Sequence, residues 1–157
     1  MQRTRFSITQ QDEELLALIK NSDQKTLAIW AFDCAERVLP YFEEKYPEDQ
    51  RPRQALEALR DWINTGVFRM AVIRKASLAA HAAAREVGED NAARSAARAA
   101  GQAVATAHVP RHAYGPAVYA RQALFRAVDP SEAAAAITKE RNWQLQHLLD
   151  LADSHPS

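Results

Sequence analysis

Apolar positions along this chain recur at helical rather than strand spacing. Near Thr9 to Lys20, Leu15, Leu16, Leu18 and Ile19 stand against Gln11, Asp12, Glu13 and Lys20, which predicts an amphipathic helix of about three turns. In the next segment Leu27, Trp30, Ala31, Cys34, Val38 and Tyr41 follow the i, i+3, i+4, i+7 rule. Phe32, Ala35, Leu39 and Phe42 widen that stripe, so this helix is expected at the centre of the core. Asp33, Glu36, Arg37, Glu43 and Glu44 form its polar edge, and Pro40 must kink it or end it. A third helix is expected after Asp49, with Pro52 near its first turn, through Ala55, Leu56, Leu59, Trp62 and Ile63 to a terminating Gly66. The second and third helices read as an antiparallel hairpin.

Beyond Gly66 the pattern changes texture. Helices are expected at about Phe68 to Val87 and about Asn91 to Val109, both built largely from alanine. Ala76, Ala80 and Ala84 recur every four residues on one, and Ala93, Ala97, Gly101 and Ala105 on the other. Small residues at that spacing let two helix axes approach closely, so the pair is expected to pack at short range. Asp90 or Asn91 is the expected cap of the second of them. A sixth helix is expected from Pro110, with Gly115 and Pro116 interrupting its first turns. A seventh is expected to begin with Asp129 as cap and Pro130 at the first helical position. The fold class is therefore all-α: an irregular bundle of about six to seven helices around a closely packed alanine-rich pair. One domain over residues 1–157 is expected, with frayed tails at 1–8 and 153–157.

Composition sharpens this picture in three respects. With 20 basic and 20 acidic residues the chain carries no net charge, so no global field draws it to nucleic acid or to an acidic membrane surface. The single cysteine, Cys34, lies in the apolar stripe and is expected to be a reduced core residue, consistent with a cytoplasmic protein. The alanine-rich stretch from Ala92 to Ala107 is broken by Arg94, Arg98 and Gln102, so no transmembrane helix is expected, and Phe6 to Glu14 offer no apolar core for a secretion signal.

Candidate chemistry is sparse. His108 and His112 stand four residues apart, a spacing that on one helix presents both imidazoles to a metal, and His81 lies in the neighbouring alanine helix. The competing reading is that these histidines hydrogen-bond within the bundle, because Pro110 separates two of them and no H-E-x-x-H motif is present. Asp33 and Glu36 could act as an acid and base pair; equally they form a solvated helix edge, on which Asp33 and Arg37 would pair at i, i+4. Phosphate-loop, dinucleotide and nucleophile-elbow motifs are missing, so no cofactor is expected. Arg69, Arg74, Arg85, Arg94, Arg98, Arg111, Arg121 and Arg126 collect on the fourth to sixth helices; they would form an anion-binding face if several emerged together, and otherwise keep alanine helices soluble.

Two runs carry a resemblance. WAFDCAERVLPYFEEKYPEDQRPRQALEALR, Trp30 to Arg60, and the stretch Ala76 to Ala120 containing AAHAAAREVG and AARAAGQAVATAHVPRHAYGPAVYA resemble the immunity proteins of the immunity-five-like family, as does the tail KERNWQLQHL, Lys139 to Leu148. The segments D-C-A-E-R-V-L-P and A-V-A-T-A-H-V are its most specific parts. The resemblance implies a small cytoplasmic bacterial protein of a polymorphic-toxin system that binds and neutralises a cognate toxin without catalysis and without a cofactor. On that reading Asp33, Glu36, Arg37, His81, His108, His112, Tyr114 and Trp143 are candidate binding residues, with Tyr119 and the arginines as further anchors and a homodimer as a second association. The alternative is a helical enzyme or ligand-binding protein in which His81, His108, His112 and Asp33 line one pocket, with the three histidines as metal ligands.

Overall fold

A computed structural model describes residues 12–154, and helices account for about four-fifths of them. Helix α1 (Glu13–Lys20) is capped by Asp12, whose carboxylate accepts from the Leu15 N–H at 3.2 Å; Thr9 to Gln11, placed in this helix by the apolar pattern, lie outside the described residues. Asp23 caps α2 (Gln24–Val38) in the same way, accepting from the Thr26 N–H at 2.7 Å. Pro40 ends that helix as expected, and the chain makes a separate short helix, α3 (Pro40–Glu43). Helix α4 (Arg51–Thr65) carries Pro52 in its first turn and closes at Gly66, whose φ of 70° is the left-handed conformation that spares glycine the Cβ clash.

Helices α5 (Met70–Glu86) and α6 (Ala92–Val104) are the alanine pair, and Asn91 caps α6 through the Arg94 N–H at 3.0 Å. Three boundaries differ from the sequence expectation. The fifth helix does not reach Val109: after Val104 the chain tightens into 3₁₀ turns at Ala105–Ala107 and Pro110–Ala113. Gly115 and Pro116 do not interrupt α7 (Tyr114–Ala127), because a proline in the first turn gives up an N–H that has no partner within the helix. Asp129 and Pro130 do not start α8 (Ala133–Ser154); Asp129 Oδ1 accepts from the backbone N–H and hydroxyl of Ser131 at 2.9 and 2.7 Å, which bends 129–132 into a turn. Helix α8 runs on through Asp153 and Ser154, and residues 1–8 and 155–157 of the expected tails lie outside the described residues.

The core has two textures. Around α2, the bulky Leu15, Leu27, Trp30, Leu39, Phe42, Leu56, Leu59 and Leu148 are closed off from solvent. Around α6, the fill is small: Ala96, Ala97, Ala99, Ala100 and Ala103 are fully buried on several faces at once. Helix α6 packs against α5 on one side and α7 on the other, and it also meets α2 and α4. A helix surrounded in this way needs side chains short enough to let each neighbour approach. The pairing of α5 with α6 is antiparallel: the Ser77 hydroxyl donates to the Gly101 carbonyl at 2.9 Å, and Arg94 Nε donates to the Ala84 carbonyl at 3.1 Å. Helices α2 and α4 form the expected antiparallel hairpin, with Glu36 facing Arg53 and Phe32 facing Arg60.

Candidate functional site

The most developed polar cluster joins α2 to α8. Asp33 and Arg37 do stand on one face of α2, as their spacing requires, but each reaches across to α8 instead of pairing with the other. Asp33 Oδ2 accepts from His147 Nε2 at 2.7 Å. Arg37 binds Glu140 through two hydrogen bonds of 2.6 and 3.0 Å, the forked geometry that suits a guanidinium and a carboxylate. Glu140 is only 4% exposed, so it depends on that cation, and the carboxylate in turn raises the Arg37 pKa. Trp143 lies between these pairs in sequence. The Arg37 guanidinium sits 3.8 Å from the indole centroid, and the His147 ring stacks on the same indole at 4.7 Å. One turn inward, Trp30 Nε1 donates to the Gln144 carbonyl at 2.8 Å, fixing the register of the two helices.

Glu36 belongs to a different contact. It accepts from Arg53 at 3.1 Å and lies 3.7 Å from Arg60, while Arg53 also holds Glu43 at 2.7 Å. Asp33 and Glu36 are therefore drawn to opposite neighbours, α8 and α4, and do not form the carboxylate pair that acid and base chemistry needs. Cys34 between them is fully buried, and that burial pushes its thiol pKa well up, as a core cysteine requires.

The three histidines take three separate partners. His81 Nδ1 accepts from Arg98 Nη1 at 2.9 Å, and burial, then the charges of Arg98 and Arg85, lower its pKa to about 4. His108 is exposed and stacks on Phe68 at 5.8 Å. His112, also exposed, hydrogen-bonds Gln102 at 3.2 Å. Among the described residues no three His, Cys, Asp or Glu side chains form a group that could hold a metal ion, which corrects the metal-ligand alternative. The physical reason is local: the two 3₁₀ turns on either side of Val109 break the single helix on which a four-residue spacing would align His108 with His112. Asp33, paired with His147, does not complete a pocket with them.

Tyr114 is half-buried, and its hydroxyl accepts the Asp12 N–H at 3.1 Å, so it holds the start of α1. The arginines divide. Arg94 pairs with Asp90 at 2.7 Å, Arg126 donates to the Ser95 hydroxyl at 3.0 Å, and Arg121 turns back toward the Ala117 carbonyl. Arg69, Arg74, Arg85 and Arg111 remain exposed. Sequence reasoning missed Glu140 and His147. Their positions with Trp143 at i, i+3 and i+7 on α8 were the available signal, since an ionisable pair flanking a tryptophan on one helical stripe marks a face that meets another helix.

Helices fastened at their edges by cross-helix ion pairs, around a core that is bulky on one side and alanine-filled on the other, define an all-helical bundle with no strand among the described residues. The chain belongs to the Imm-5 like putative immunity protein family, whose model matches residues 17–151. That span runs from the middle of α1 to the last turns of α8 and takes in both the α2–α8 cluster and the alanine pair. No curated protein and no solved structure matches the chain. No helix among the described residues is long and apolar enough to cross a membrane.

Proposed function

We propose that this protein is a bacterial immunity protein that binds a cognate toxin in the cytoplasm and neutralises it by occupancy, without catalysis. The observation that carries this reading is the family match across residues 17–151. The internal pairing of the candidate chemical groups supports it further. Asp33, Arg37, Glu140 and His147 are committed to one another, and the histidines are dispersed, so these groups serve to hold α8 and the alanine pair in fixed positions. A rigid bundle of this kind binds with little ordering cost at its own surface.

The test begins at the locus, where a toxin gene is expected beside this one, and continues with co-expression of the two. Cells making the toxin alone are expected to stop growing, and cells making both proteins are expected to grow. Growth arrest that persists with this protein present in molar excess contradicts the proposal.

A further inference from the structure

We infer that the toxin-facing surface is the corner between α4 and α5, and that it fits a protein partner presenting an apolar patch rimmed by carboxylates; this inference rests on the immunity reading above. Val67, Phe68, Met70, Val72 and Leu78 are between 42 and 58% exposed, and the first four fall within six consecutive residues. Exposed aliphatic and aromatic side chains concentrated in this way mark an interaction site more often than a random surface. The local geometry explains why they stay outside. Gly66 turns the chain off α4 in its left-handed conformation, residues 67–69 run free of helix, and Phe68 is held at the surface by stacking on His108 at 5.8 Å.

Charge selects the partner. From Gly66 to Arg85 the chain carries Arg69, Arg74, Lys75 and Arg85 and no acidic residue. None of these four forms an ion pair among the described residues, and neither does the exposed Arg111. Elsewhere Arg37, Arg51, Arg53, Arg60, Arg94, Arg126 and Arg141 are all paired with carboxylates. The segment from Gly66 to Arg85 thus joins five exposed apolar side chains with four cations and no carboxylate of its own. Adjoining Val67 in sequence, Lys25, Trp62, Ile63, Asn64, Thr65 and Gly66 line an open groove of about 300 Å³.

These features discriminate between occupants. A second copy docked symmetrically would set Arg69, Arg74 and Lys75 against themselves. Nucleic acid would match the cations but leave Val72, Met70 and Leu78 without partners, and a flat lipid surface would leave the groove unfilled. A protein surface with carboxylates around an apolar anchor satisfies all three elements.

The probe is the purified toxin domain encoded beside this gene, with Kd and association rate measured against the full chain. Val72→Glu with Leu78→Glu is expected to weaken binding by about 30-fold or more, the loss of one or two apolar anchors. Arg69→Glu with Arg74→Glu is expected to slow association by about tenfold or more, and Glu132→Lys, on the turn before α8, to stay within about twofold of wild type. Because all of these side chains are exposed, helicity and melting temperature are expected to be unchanged. The wild-type chain offers a second readout that needs no variant: its association rate should fall about tenfold between low and high salt. If wild type binds but the patch variants bind equally well and salt has no effect, the surface is elsewhere and the immunity reading survives. If wild type does not bind the toxin domain at all, both fall. Patch variants that lose self-association in sedimentation, or lose binding to single-stranded RNA or anionic vesicles, while still binding the toxin normally, also overturn the assignment.

Discussion

Gly101 offers a perturbation whose sign depends on one neighbour. A Cβ built at this position in α6 would lie 2.7 Å from His81 Nε2 and 2.9 Å from its Cδ2 and Cε1. Replacing a mid-helix glycine by alanine ordinarily stabilises a helix by about 0.5–1 kcal/mol, through the lower entropy of the unfolded chain. Here the methyl group cannot enter unless the imidazole moves. The ring is packed between α5 and α6 and held by Arg98 at 2.9 Å, so moving it gives up a hydrogen bond from a charged donor, about 1.5–3 kcal/mol, or forces overpacking of similar cost. Gly101→Ala alone is therefore expected to destabilise the protein by about 1–2 kcal/mol, lowering the melting temperature by about 3–6 °C. In a His81→Ala background the obstruction is gone and the helix gain remains, so the same substitution should stabilise by about 0.5–1 kcal/mol. Urea denaturation followed by far-ultraviolet circular dichroism on the four proteins of this cycle measures both numbers. The same sign in both backgrounds would refute the close approach of α5 and α6 through His81.

The His81 pKa, lowered to about 4 from its ordinary 6.5 by burial and by Arg98 and Arg85, carries a pH signature. The unfolded chain takes up this proton at higher pH than the folded one, so stability falls as pH drops from about 6.5 to about 4, by on the order of 1–3 kcal/mol after solvent screening. His81→Gln should lack that component, and a wild-type to variant difference that is flat from pH 7 to pH 4 would count against it. Glu140→Gln removes the charge that Arg37 needs and is expected to cost about 1–3 kcal/mol, scaled down from a fully buried pair because Arg37 is partly exposed. The Trp143 emission should shift as the guanidinium leaves the indole, and an unchanged spectrum with unchanged stability would contradict the cluster. Asp12 has its pKa lowered chiefly by its hydrogen bond from Arg141, so its contribution is complete above the ordinary carboxylate pKa and disappears as pH falls through the lowered folded value. Asp12→Asn, which keeps the cap on Leu15, should be less stable than wild type at pH 7 and equal to it near the acid limit; a constant gap at all pH values would show that charge is not what matters there.

Much of this fold was legible because its helix ends are marked by single residues with single jobs. Asn91 caps, Pro40 breaks and Gly66 terminates, and each does so through its own local chemistry. Asp129 shows the limit: the same side chain that caps a helix can also close a turn on Ser131, and the choice is made by the next two residues. The central place of α6 was hidden by Arg94, Arg98 and Gln102, which read as an exposed face. Instead they thread between neighbouring helices to Ala84, His81 and His112. Asp33 and Arg37 could be chosen from the sequence, but their partners His147 and Glu140 lie more than one hundred residues away, beyond the reach of any spacing rule. The exposed corner at Val67 to Val72 was equally hidden, since apolar residues opening a helix read as core until the packing shows which face is left uncovered.

The claim that this protein neutralises a toxin by occupancy is tested most directly by titrating the purified protein into a fixed amount of the active toxin domain and following the toxin's own activity. Activity should fall linearly, reach zero at one equivalent, and return in full when the complex is separated under denaturing conditions and the toxin refolded. Progressive inactivation by a small fraction of an equivalent, which requires turnover, or undiminished activity at a large excess, would contradict the account.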